Sequence, residues 1–116
     1  QLIMDNNIIA GVGNIYACDA LHVACLSPWR PGKTLSRAES DRLLAAIQLV
    51  ILQGIEMGGT TFDGKYVDIA GMAGSYQSVV RVYGRDGQPC RICGASIVKE
   101  KLGGRGTYYC PECQAF

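Results

Sequence analysis

The chain lacks most of the features that would place a protein in a class at a glance. No apolar stretch approaches the ~20 residues needed to cross a bilayer, so no membrane partner is expected. The first residues do not run from a basic segment into an apolar one, so no secretory leader is read there and a cytoplasmic setting is expected. Residue 1 is Gln rather than an initiator Met, and the expectation is a chain processed or cut from something longer. There is no internal repeat and no low-complexity run. Charge is also scarce: 18% of residues are charged and the net is +1, so the chain as a whole does not announce a polyanion partner.

What is present is the composition of a folded domain. With 48% hydrophobic residues in 116, the chain can bury one ordinary core or two very small ones. Fifteen glycines predict several tight turns. Charge is unevenly spread. Residues 1–78 hold five Lys or Arg against seven Asp or Glu, a net of −2. Residues 79–116 hold six (Arg81, Arg85, Arg91, Lys99, Lys101, Arg105) against three (Asp86, Glu100, Glu112), a net of +3. The basic excess therefore sits in the cysteine-rich tail, where attraction to phosphate would be useful.

The pattern predicts a helical part followed by a metal-organised part, with the boundary near residue 78. A turn-rich segment from Asp5 ends in Gly11-Val12-Gly13-Asn14. A helix is expected from about Ile15 to Cys25, with Ile15, Cys18, Leu21 and Cys25 at helical spacing. Ser27-Pro28 ends it, and Pro28 and Pro31 bracket a rigid connector. Ser36 and Glu39 form an S-x-x-E capping box, after which Leu43, Leu44, Ile47, Val50, Ile51 and Ile55 are expected to line one helix face. Gly58-Gly59 stops that helix. Residues 60–76 read as a glycine-containing loop, Tyr76 to Tyr83 as a weakly alternating strand, and 84–116 as short strands and turns.

The strongest chemical signal is Cys90-Arg-Ile-Cys93, sixteen residues, then Cys110-Pro-Glu-Cys113. Each C-x-x-C turns so that both sulfurs point at one ion, and two such knuckles supply the four-thiolate tetrahedron that zinc accepts. Four protein ligands leave no open position, so the expected single Zn2+ is structural. The segment is too short for a dry core, and metal binding would supply much of its folding energy, on the order of 10 kcal/mol. The spacing favours this over two disulfides or a redox C-x-x-C, which would need a strand-to-helix context.

Three weaker signals are left open by the residues themselves. Cys18, His22 and Cys25 could share a helix face as a second metal site; two buried thiols beside a surface histidine is the favoured reading. Gly11-Val12-Gly13-Asn14 before a helix could cradle a phosphate. It lacks the third glycine of the dinucleotide fingerprint, and a tight turn with Asn14 as N-cap is favoured. Arg105, in Gly103-Gly104-Arg105-Gly106-Thr107 at the tip of an expected hairpin, is equally a phosphate grip and a solvated turn residue.

Three segments taken together resemble the C-terminal half of the formamidopyrimidine-DNA glycosylase family. They are Ala10-Gly-Val-Gly-Asn-Ile-Tyr-Ala17, Gly58-Gly-Thr-Thr61, and Val82-Tyr-Gly-Arg-Asp-Gly-Gln-Pro-Cys90 through Cys113-Gln114, in matching order over essentially the whole chain. The related endonuclease VIII family shares the architecture, but Val82-Tyr83-Gly84 and Thr107-Tyr108-Tyr109-Cys110 fit the formamidopyrimidine branch better. The resemblance implies a mainly α fold with a small β zinc ribbon: a helix-two-turn-helix DNA-binding domain over 1–78 and a four-cysteine zinc finger over 79–116. It implies phosphate contacts from Asn14, with Gly13, and from Arg105. It implies a loop over an extruded oxidised purine at about Val67 to Tyr76, including Gly74, Ser75 and Tyr76. The implied partners are double-stranded DNA carrying an oxidised base or abasic site and an N-terminal catalytic domain of the same protein, in a monomer. The family's catalytic Pro-Glu start has no match here, so no catalytic residue is expected in this chain. Asp63 and Gly64 stand where the family has a more basic stretch, which leaves base preference open. A non-enzymatic zinc-ribbon module that binds nucleic acid is the alternative; it explains the cysteines but neither glycine motif.

Overall fold

The computed structural model describes residues 13–56, 79–102 and 104–115. Within them, two helices are followed along the chain by one small antiparallel hairpin. Helix α1 is Asn14–Ala24, a 3₁₀ turn covers Gly32–Thr34, and helix α2 is Arg37–Glu56. Strands β1, Val98–Leu102, and β2, Arg105–Tyr109, pair in a register that sets Leu102 opposite Arg105 and Val98 opposite Tyr109. The expected lesion loop and the glycines Gly58-Gly59 lie outside the described residues.

Helix α1 is the middle layer. Every residue from Ile15 to His22 is buried, because α2 covers one side and the ribbon another. It ends where Cys25 adopts a left-handed conformation (φ 59) and Cys25 N–H and Leu26 N–H close back on His22 and Leu21 carbonyls. That geometry swings Cys25 off the helical face into solvent, so Ile15, Cys18 and Leu21 share the interior and Cys25 does not.

Helix α2 begins as its sequence predicts. Glu39 N–H donates to Ser36 Oγ at 3.0 Å, and Ser36 N–H donates to Glu39 Oε1 at 2.9 Å. Arg30 then grips both Glu39 carboxylate oxygens at 3.0 and 2.9 Å and the Thr34 carbonyl at 3.0 Å, which fixes the proline connector. This guanidinium holds the Glu39 carboxyl down at about 2. The buried face is Leu43, Ala46, Ile47, Val50 and Gly54; Leu44 and Ile55, expected inside, are about half exposed because they sit at its edge. Gly54 is needed where α2 crosses Tyr16: a Cβ there would lie 2.7 Å from the tyrosine oxygen.

Residues 79–83, expected to end a strand, are irregular turn and bend instead. The cause is Asp19, wholly buried on α1. Its carboxylate accepts Arg81 N–H at 2.9 Å and Val82 N–H at 3.0 Å, satisfying the backbone donors a strand partner would take. One apolar cluster runs through both parts of the chain, from Ile15, Leu21 and Val50 to Val82, Ile97 and Leu102.

Candidate metal centre and nucleic-acid interface

The two knuckles are built by backbone turns. Gly94 N–H returns to the Cys90 carbonyl at 2.9 Å, and Gln114 N–H returns to the Cys110 carbonyl at 2.9 Å. Gly94 sits at φ 81, a value L side chains rarely adopt, so the first knuckle needs its glycine. These turns bring Cys90, Cys93, Cys110 and Cys113 together with all four sulfurs within 4.8 Å of one another. The Cys90–Cys113 and Cys93–Cys110 sulfurs are 3.8 and 3.4 Å apart. A tetrahedral ion with bonds of ~2.3 Å sets its sulfurs about 3.8 Å apart, so the donor set fits zinc in type and spacing. Burial would raise the Cys90 thiol, but N–H donors from the knuckle backbone and the His22 ring bring it down to about 5. Burial and neighbouring sulfurs push Cys110 and Cys113 up. A divalent cation resolves this mutual repulsion by charge neutralisation.

The sequence reading missed how the knuckles are docked. Gln114 is buried; its side chain accepts Cys110 N–H at 2.8 Å and donates to the Leu26 carbonyl at 2.9 Å. His22, expected at the surface, is 1% exposed and puts Nε2 3.3 Å from Cys90 Sγ. Cys18, His22 and Cys25 therefore form no metal cluster: Cys18 is buried with its thiol pushed up to about 12 by desolvation, Cys25 faces solvent, and His22 turns to the ribbon. Polar side chains separated by 60–90 residues leave no spacing signal in a sequence; only the burial of single hydrophilic residues on an apolar helix hints at them.

The other end of α1 meets the hairpin tip. Asn14 is the first residue of the helix rather than its cap; Gly13 (φ 100) holds the cap position with no side-chain hydrogen bond. Asn14 Nδ2 instead donates to the Gly106 carbonyl at 2.8 Å. Gly106 follows Arg105, which is exposed at the start of β2. Gly13, Asn14 and Arg105 are thus brought to one locality: an uncapped helix N-terminus, an amide with a second hydrogen to give, and a free-standing guanidinium.

Comparison with known proteins agrees with this geometry. Residues 1–65 match the formamidopyrimidine-DNA glycosylase H2TH domain, and residues 87–115 match the zinc finger found in FPG and IleRS. The chain belongs to the formamidopyrimidine-DNA glycosylase family. It is 49% identical to the formamidopyrimidine-DNA glycosylase of Pelotomaculum thermopropionicum over 97% of its own length and 41% of that protein's. It is 46% identical to the Neisseria meningitidis enzyme, with 97% and 40% covered. Among solved structures it resembles MutM (Fpg) from Thermus thermophilus at 44% identity and a TM-score of 0.75, covering 88% of this chain and 39% of that one. It also resembles Lactococcus lactis Fpg in complex with abasic-site DNA, at 34% identity and a TM-score of 0.77, covering 90% and 37%. The chain spans about two fifths of the length of the relatives it matches. A lone zinc-ribbon module does not account for the match over 1–65.

Proposed function

We propose that these residues are the DNA-gripping part of a base-excision DNA glycosylase with abasic-site lyase activity. Its substrate is duplex DNA carrying an oxidised purine, such as 8-oxoguanine or a formamidopyrimidine, or an abasic site. The observation that supports the reading is the Asn14–Gly106 hydrogen bond, which ties the helix N-terminus to the residue beside Arg105; on this reading the two address one short stretch of phosphate backbone. The relatives support it: the Lactococcus lactis protein is solved with abasic-site DNA and with Fapy-dG DNA. The zinc, held by Cys90, Cys93, Cys110 and Cys113, keeps the hairpin stiff and takes no part in bond breaking.

On this reading the chain binds as a cytoplasmic monomer and the chemistry needs a catalytic domain of the same protein. Glycosylase–lyase chemistry requires an unprotonated amine held against the sugar C1′ with an acid nearby. Among the described residues, no lysine is ion-paired with a carboxylate. The test is a titration of labelled duplexes, with and without a stable abasic-site analogue, followed by borohydride trapping on 8-oxoguanine DNA. The chain should bind and should not trap. Efficient covalent trapping by the 116 residues alone would overturn the division of labour, and failure to bind either duplex would overturn the DNA reading.

A further inference from the structure

The chain has one histidine, and the fold spends it on the metal centre. His22 lies on α1, 68 positions from Cys90, yet its Nε2 stands 3.3 Å from the Cys90 sulfur with the ring 1% exposed. Cys90 is 4% exposed, and Ile92 N–H also points at its sulfur from 3.4 Å. A zinc-bound thiolate has lone pairs and no proton, so a ring nitrogen at this distance must be the donor. The proton is then on Nε2, and Nδ1 is the nitrogen without a protein partner. Beside the ring is a cleft of about 310 Å³ lined by His22, Gln53, Val79, Arg81, Arg91 and Ile92.

We propose that His22 is a positioning residue for the zinc: its Nε2–H donates to the Cys90 thiolate and ties the helical part directly to a metal ligand. Four thiolates around one Zn2+ leave an excess of negative charge on sulfur. An N–H donor draws some of that charge off, orients the ligand and slows its loss. The helix thereby stabilises the site from outside the ribbon, which a search for cysteine spacing alone would never include. This assignment stands whether or not the chain binds DNA.

The test compares His22→Phe, which keeps a ring of similar volume without a donor, with His22→Gln, whose amide N–H can reach the same sulfur. Zinc affinity is read by competition with a coloured chelator, and the sulfur-to-metal charge-transfer bands are read in the cobalt-substituted chain. His22→Phe should weaken zinc by about 10- to 100-fold and move the bands to lower energy, while His22→Gln restores most of both. Unchanged affinity and bands in His22→Phe, or equal loss in both variants, would reduce the histidine to packing. If His22→Phe does not fold, the unsubstituted chain decides the matter. Loaded with ¹¹³Cd, it should show the Nε2–H tautomer with a coupling between the metal and that proton across the hydrogen bond; the opposite tautomer, or no coupling, would overturn the assignment.

Discussion

The helical part and the ribbon are stabilised in different ways, although one apolar cluster runs through both. The helices bury a continuous face, with Leu21, Ala24 and Val50 fully enclosed and a cap network at Ser36, Glu39 and Arg30. A leucine or valine buried in this way contributes about 1.5–3 kcal/mol. The ribbon has five-residue strands and a handful of buried side chains, and it leans on four sulfurs and on its neighbour. Between the parts the seam is polar: Asn14–Gly106, Asp19 to the Arg81 and Val82 amides, His22–Cys90 and Gln114–Leu26. Hydrogen bonds of this kind have strict geometry, so they fix where the hairpin tip lies relative to the helix N-terminus. Apolar contact alone would leave that position loose.

The largest way to break the comparison is to remove the metal. Stripping zinc, or Cys90→Ser, should remove on the order of 10 kcal/mol from the ribbon. Amide exchange should then become fast across 84–115 while protection persists in α1 and α2. Simultaneous loss of protection in the helices would show that the two parts are one cooperative unit.

The next largest effect attacks the seam. Asp19→Ala leaves the buried Val82 amide, the part-buried Arg81 amide and the nearby Arg81 guanidinium without their carboxylate. The expected loss is about 3–5 kcal/mol in chemical denaturation, with zinc stoichiometry still one per chain. A loss below about 1 kcal/mol would mean that the apolar cluster alone holds the ribbon in place.

A smaller effect is confined to the helical part. Ser36→Ala should cost about 1 kcal/mol. The Glu39 carboxyl is held down at about 2 in the folded chain, first by Arg30, against an ordinary 4.5. A lowered folded-state value favours the fold above the ordinary value, so this contribution is intact above about 4.5. It is lost as pH falls from there toward 2. Thermal melts from about pH 6 to about 2.5 should show a decline below pH ~4.5 that is weaker in Glu39→Gln; parallel curves would remove Glu39 from the account.

What could be read in advance follows the same division. The knuckles, the capping box, α1 and the hairpin were legible because each is written within a short window: fixed cysteine spacing, S-x-x-E, a 3.6-residue period, glycines between two strands. The seam was not legible, because Asp19, His22 and Gln114 find partners more than sixty positions away. That explains two misreadings: the Tyr76–Tyr83 strand, whose Arg81 and Val82 amides are taken by Asp19, and the surface histidine, which the ribbon buries. Leu44 and Ile55 were misplaced for a related reason. The apolar stripe of α2 is wider than the face that α1 covers, and sequence periodicity does not say where the neighbour stops. The roles of Asn14 and Arg105 were suggested by family resemblance; the contact between their neighbourhoods came from the fold.

The central claim is that the polar seam sets Arg105 beside the N-terminus of α1 to hold phosphate. The most direct test is the salt dependence of binding to a duplex with an abasic-site analogue, for the intact chain and for Arg105→Ala. Loss of one phosphate contact should lower the slope of log K against log salt by about one and weaken damaged and undamaged duplexes alike. An unchanged slope and affinity would contradict the account, because it would leave the zinc ribbon without a part in gripping DNA.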